Sequence, residues 1–210
     1  MNSERIEGIA VWPHLNEPDL GPKDHPKKES ERCFTTKLSI PAEDAETTIL
    51  SLEKVLKTGY DEYCKEHKRQ KLRIGYKPWE DEVDREGNNT GNVVFKFTMK
   101  AQTATGIKRR PVLCDSKQNL MSDRIHGGSR IVVTFRPHHW YVPASGVGMS
   151  LRLLGVQVLE LQSGYKELTP EELGFEKRDG FETKSSSEDK EDEMDEELVL
   201  NNHNNNNGDF

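Results

Sequence analysis

Val93-Val94-Phe95-Lys96-Phe97-Thr98-Met99-Lys100-Ala101 is the stretch that decides how this chain folds. Its odd positions are apolar throughout, and after Val94 its even positions are Lys, Thr and Lys. Successive side chains of a strand point to opposite faces, so the stretch predicts one β-strand with Phe95, Phe97 and Met99 inward and Lys96 and Lys100 outward. Further along, Arg130 to Arg136 repeats the pattern, with Ile131, Val133 and Phe135 on one face and Arg130, Val132, Thr134 and Arg136 on the other. Met149 to Leu161 reads as a long last strand. Its apolar parity changes from Leu151 and Leu153 to Leu154, Val156 and Val158, which predicts a bulge near Leu154-Gly155. A Thr-Gly turn and Lys108-Arg109-Arg110 precede a short strand, Pro111 to Asp115, and Ser116-Lys117-Gln118-Asn119 reads as a turn.

Toward the N-terminus, Arg32 to Ile40 is a strand with Phe34, Leu38 and Ile40 on one parity, ended by Pro41. Pro41 also opens a helix, predicted over Glu43–Lys71. Glu43, Asp44 and Glu46 load its first turn, Lys65 to Lys71 load its last, and Ile49, Leu52, Leu56, Tyr60 and Tyr63 recur at helical spacing between them. Gly59 weakens its middle slightly, and residues 76–92 read as an acidic, Gly/Asn-rich loop. Residues 1–31, rich in Pro, Glu, Lys and Asp, read as an irregular lead-in anchored by Trp12 and Leu15. The expectation is a mainly β domain over 32–166, a five-stranded closed or partly open barrel with one long helix between its first and second strands.

Only 32% of the 210 residues are hydrophobic, so part of the chain is expected to stay outside any core. The formal charge of −7 is unevenly placed. Residues 1–166 hold 26 cations against 22 carboxylates, residues 93–166 alone hold 11 against 3, and residues 167–210 hold 4 against 15. A net of +8 therefore lies in the second half of the body and −11 in the tail. A basic domain tethered to an acidic terminus can bind a polyanion and be screened by its own tail.

Several classes fall away. No apolar run approaches the length of a membrane span, and the N-terminus lacks the apolar core of a secretory signal, so the chain reads as soluble and intracellular. The three cysteines, Cys33, Cys64 and Cys114, are far apart and read as buried thiols rather than a disulfide framework or metal knuckle. Asn88-Asn89-Thr90 reads as a turn rather than a glycan acceptor. Phosphate-binding loops and dinucleotide fingerprints are absent, and Asp115, Asp123 and Glu160 are better read as turn and surface residues than as a metal-dependent nuclease site. The reading is therefore of a non-enzyme that needs no metal or cofactor.

A groove for single-stranded nucleic acid needs cations to follow phosphates and flat side chains on which bases stack. Lys96, Lys100, Lys108, Arg109, Arg110, Arg130 and Arg136 supply the charge. His138, Trp140 and Tyr141 in Arg136-Pro137-His138-His139-Trp140-Tyr141 supply aromatic surface, although a lone Trp after a strand also reads as a core or rim residue. Residues 167–210 read as a disordered tail, with eight acids and one base between Ser185 and Glu197 and an aromatic terminus, Gly208-Asp209-Phe210. An aromatic at the end of a charged tether has no packing role, so Phe210 reads as a docking plug and the carboxylates, among them Glu193, Asp195, Glu196, Glu197 and Asp209, as a phosphate mimic.

The block Thr90–Leu161 resembles the single-stranded DNA-binding proteins of T-seven-like podoviruses, through Val93-Val94-Phe95-Lys96-Phe97, Cys114-Asp115-Ser116-Lys117, Gly127-Gly128-Ser129-Arg130, Pro137-His138-His139-Trp140 and Ser150 to Leu161. Leu38-Ser39-Ile40-Pro41 before the helix and the terminal Gly-Asp-Phe share the likeness, which covers roughly residues 30–165 and the extreme C-terminus. The resemblance implies an OB-fold of Greek-key topology and a homodimer in the cytoplasm of an infected bacterium. It also implies ssDNA protection and annealing in phage replication, recombination and repair, and a tail that docks on the phage DNA polymerase and primase-helicase and competes with DNA for the basic cleft. The family's aromatic two residues before the Trp is His138 in this chain, a weaker stacking partner than Tyr, and Arg32 is only a rough candidate contact. The competing reading, from another class, is an acidic-tailed interaction or chaperone-like barrel protein that does not bind DNA.

Overall fold

In the computed structural model the described residues are 3–69, 71–162, 173–176 and 179. In chain order they form β1 (Glu4–Asp19), β2 (Cys33–Pro41), α1 (Ala42–Glu66), β3 (Trp79–Val83), β4 (Asn89–Lys100), β5 (Val112–Cys114), β6 (Arg130–Val142) and β7 (Gly146–Glu160). The chain divides into two units, Met1–Tyr165 and Lys166–Phe210, and all of these elements belong to the first. Glu193, Asp195, Glu196, Glu197, Asp209 and Phe210, the tail residues read as a docking element, lie outside the described residues.

Strands β4, β2, β1, β6 and β7 neighbour one another in that order, and β4 closes on β7 in parallel at Phe97–Leu151 and Thr98–Arg152. The result is a closed five-stranded barrel. The alternation read from sequence explains it, because Phe95 and Phe97 of β4, Leu38 of β2, Ile131, Val133 and Phe135 of β6 and Leu151 of β7 are fully buried within. Phe97 and Phe135 meet at the centre with ring centroids 5.1 Å apart. Each such side chain contributes on the order of 1.5–3 kcal/mol through burial. The expected bulge is present: Thr134 pairs with Gly155 and Phe135 with Leu153, leaving Leu154 unpaired.

Two expectations about the strands need correction. The 1–31 lead-in is not irregular, because residues 4–19 form β1, a barrel strand paired with both β2 and β6. Its signal was muted by small inward residues, with Ala10 buried and Gly8 lying so close to Ile40 that a Cβ there would stand 2.7 Å from the Ile40 Cγ1. Its phase also changes at Trp12-Pro13, after which Leu15 is the buried residue. The acidic loop at 76–92 likewise contains β3, which pairs with the first half of β4. The predicted Pro111 to Asp115 strand becomes β5, which pairs with β7 outside the barrel.

The helix begins at Ala42, one residue before the expected Glu43, and ends at Glu66, five residues before Lys71. Lys68 takes a left-handed backbone at φ 49°, and the Arg69 N–H donates to the Cys64 carbonyl at 3.0 Å, a closing turn of the kind that ends helices. The chain is then pinned back, because the Tyr60 hydroxyl accepts from the Leu72 N–H and donates to the Leu72 carbonyl, both at 3.1 Å. Gly59 is a packing requirement rather than a simple weakness, since the His139 ring fills the space a Cβ would need. The cysteines are half-buried and free rather than fully buried.

Candidate nucleic-acid interface

Strand β6 sends alternate side chains to different places. Arg136, His138 and Trp140 lie on its outer face, while His139 and Tyr141 turn toward α1. Tyr141 packs against Tyr63 and His67, with ring centroids 5.8 and 4.5 Å away, and His139 meets Tyr63 edge-on at 5.6 Å. The parity of one strand thus divides the aromatic cluster, and Tyr141 serves the helix interface instead of an open platform. Trp140 is half-buried and covers its cross-strand partner Gly148, where a Cβ would approach the indole to 2.5 Å.

Across the outer face, Arg136 stands directly opposite Arg152, and Arg152 is in register with Thr98 of β4. Both arginines are exposed, and neither has a carboxylate partner among the described residues. Like charges directly opposite in a sheet destabilise it, so an anion lying between them would be favoured. Lys100 and Arg109 join them around a groove of about 760 Å³, with Thr98, Gln102 and Ser150 in its wall. A smaller hollow of about 190 Å³ carries Lys108, Arg109 and Arg110 with Arg32 and Glu29, so Arg109 belongs to both. The loop that presents these cations is folded on itself: the Arg109 N–H donates to the Ala101 carbonyl at 2.8 Å, and the Gln102 side chain donates to the Gly106 carbonyl at 3.0 Å.

Burial, with help from Arg152 and His139, holds His138 below the ordinary imidazole range, so its ring sits neutral beside the groove at neutral pH. Lys96 is exposed on β4 directly opposite Lys37 of β2, whose charge is partly met by Glu80 at 3.2 Å. Arg130 stands apart from the groove. Its guanidinium pairs with Glu7 and Glu160, both at 2.7 Å, and its charge is neutralised at the far end of β6. Asp115 accepts hydrogen bonds from Asn119 and Lys117 that close its own turn and lower its carboxyl. Among the described residues no group of His, Cys, Asp or Glu is placed to hold a metal ion, and no helix is long and apolar enough to cross a membrane.

The site set read from sequence therefore separates into groups. Lys100, Lys108, Arg109, Arg110 and Arg136 converge on the two hollows, with His138 and Trp140 on the same outer face, while Lys96 lies farther along β4 and Arg130 and Tyr141 are engaged elsewhere. Arg152 and Lys37 were not singled out, and Trp12, expected with Leu15 to anchor the lead-in, is exposed while Leu15 alone is buried. For Arg152 the signal was present, since a charge between Leu151 and Leu153 in an alternating strand must face outward.

The closed barrel with strand order β1-β2-β4-β7-β6 is an OB-fold. Among solved structures it is similar to gp2.5, a single-stranded DNA-binding protein encoded by bacteriophage T7, with a TM-score of 0.64 and 20% sequence identity over 80% of this chain and 97% of that one. It is also similar to the single-stranded DNA-binding protein of bacteriophage Enc34 in complex with ssDNA, with a TM-score of 0.53 and 16% identity over 78% of this chain and 89% of that one. The expected resemblance to phage ssDNA-binding proteins thus holds at the level of fold. No protein-family model matches the chain, and no curated protein matches it by sequence.

Proposed function

We propose that this chain binds single-stranded DNA with little sequence preference, in the groove between Arg136, Arg152, Lys100 and Arg109. The carrying observation is the cross-strand pair Arg136–Arg152, two exposed like charges held opposite one another beside Lys100 and Arg109. Such a site follows a phosphate backbone, and the neighbouring His138 and Trp140 rings offer surfaces for bases. The Enc34 protein, which shares the fold, was solved with ssDNA bound, which supports the reading.

On the same reading the chain coats and protects ssDNA, promotes annealing and works as a homodimer in phage replication, recombination and repair. The tail, Glu193 to Phe210, recruits a phage DNA polymerase and primase-helicase and competes with DNA for the groove; its charge supports this, 15 carboxylates against 4 cations in residues 167–210. Salt-dependent binding to oligo(dT), measured on the full chain and on a form lacking residues 185–210, tests both parts. Affinity should fall with salt, with a log-log slope of roughly 0.7 per phosphate contact, and should rise when the tail is removed. A chain that ignores ssDNA at low salt, with or without its tail, yet captures basic proteins is a chaperone-like interaction barrel instead. Equal affinity of the two forms rejects tail competition alone.

A further inference from the structure

Trp12 is 81% exposed, and its backbone lies at φ 49°, in the left-handed region that bulky side chains avoid. The backbone conformation costs stability, and among the described residues Trp12 is not one of the side chains packed against the core. Their position in the barrel is informative. Val11 pairs with Lys37 and His14 with Thr35, so three steps along β1 match two along β2 and one residue is extra. A bulge of this kind re-aims a side chain. Lys37 is in turn opposite Lys96, Thr35 opposite Thr98, and Thr98 in register with Arg152. The bulge therefore opens onto the outer face that leads to the Arg136–Arg152 groove, three inter-strand spacings or about 14 Å from β7.

We infer that Trp12 is a base-stacking platform: a single strand that leaves the groove crosses β4 and β2 over Lys96 and Lys37 and stacks a base on the Trp12 indole. This rests on the ssDNA reading above and extends the site to β1. An exposed indole with Lys37, partly met by Glu80, on the next strand and Lys96 one strand farther matches the chemistry of a nucleotide, apolar and flat at the base and anionic at the backbone. The strain is consistent with such a role, since an unfavourable backbone conformation that serves no packing is a mark of a binding element.

Oligo(dT) binding across a salt series, with thermal melts, is measured for the wild type and for Trp12→Gly, Trp12→Phe and Arg152→Ala. Trp12→Gly should bind about tenfold more weakly at every salt concentration. Its log-log slope should equal that of the wild type, because a stacked base displaces no counterion. It should melt at or above the wild-type temperature, since glycine adopts this backbone without strain. Trp12→Phe should keep most of the affinity. Wild-type affinity in Trp12→Gly alongside weakened Arg152→Ala overturns the inference and leaves the groove intact. So does a Trp12→Gly protein that melts well below the wild type, which would make Trp12 a packing residue, or one that changes only self-association, which would make it a contact to a second copy. A wild-type chain without ssDNA affinity overturns both readings together.

Discussion

The two sides of β6 are built from neighbouring residues and obey opposite rules. On one side His139 and Tyr141 close against α1, where Gly59 leaves room for the imidazole and the His139 Nδ1 is buried without a hydrogen-bond partner. On the other, Arg136 lines the groove and His138 and Trp140 lie on the same outer face, where charge is exposed and like-signed. The helix side is optimised for contact, and the groove side tolerates repulsion. A single strand can do both because its side chains alternate, so the boundary between the packed face and the proposed binding face runs along the backbone rather than between domains.

If that division is correct, substitutions on the inner side should move stability and those on the outer side should move affinity. The largest effect is expected for Phe135→Ala, which empties a fully buried ring site against Phe97. It should cost about 3–5 kcal/mol in denaturant unfolding, a large share of the stability of a domain this size. Gly59→Ala comes next. A methyl group there would overlap the His139 ring, and overpacking costs about 1–3 kcal/mol, more than the gain of up to about 1 kcal/mol from replacing a helical glycine. A more stable Gly59→Ala protein would show that α1 can shift away from β6 and would weaken the comparison.

On the outer side, Arg136→Ala and Arg152→Ala should each lower oligo(dT) affinity and reduce the log-log salt slope by roughly 0.7. Their melting temperatures should stay equal or rise slightly, because each removes a cross-strand repulsion. Arg130→Ala is the internal control. Its charge is already met by Glu7 and Glu160, so the salt slope should not change, and a lowered slope would bring Arg130 back into the binding path.

The smallest effect concerns pH. His138 is held below its ordinary value of 6.5, chiefly by burial, so the unfolded chain takes up its proton first as pH falls. The stability that His138 contributes is therefore full above about pH 6.5 and lost as pH falls below it, and His138→Gln should remove that loss. DNA affinity should change in the opposite direction, since a nearby phosphate favours the protonated ring. Thermal melts and oligo(dT) titrations between neutral and mildly acidic pH separate the two.

Much of this was legible along the chain. The alternation in Val93–Ala101 and Arg130–Arg136 predicts which faces are buried, and the parity change after Leu153 predicts the bulge at Leu154. Strand β1 was not legible, because Gly8 and Ala10 leave its inward face without a hydrophobic pattern and the residues around Trp12 and Pro13 change its phase. Strand β3 was hidden in the same way. Its run Glu80-Asp81-Glu82 looks like loop, yet Glu82 stays ionised against burial because Asn92, Thr90 and Ser39 all donate to it.

By itself, then, the amino-acid sequence determined that a basic, strand-rich body precedes an acidic tail, and which residues of most strands face inward. Periodicity and net charge are properties of neighbours along the chain, and they survive without knowledge of the fold. Only the tertiary structure decided which cations are brought together. Arg136 meets Arg152 because β6 pairs with β7 in one register, Arg130 is neutralised because β1 brings Glu7 alongside and β7 supplies Glu160, and Tyr141 is withdrawn because α1 lies under its side of the strand. Pairing register is set by contacts between distant segments, and nothing local to any one of these residues records it.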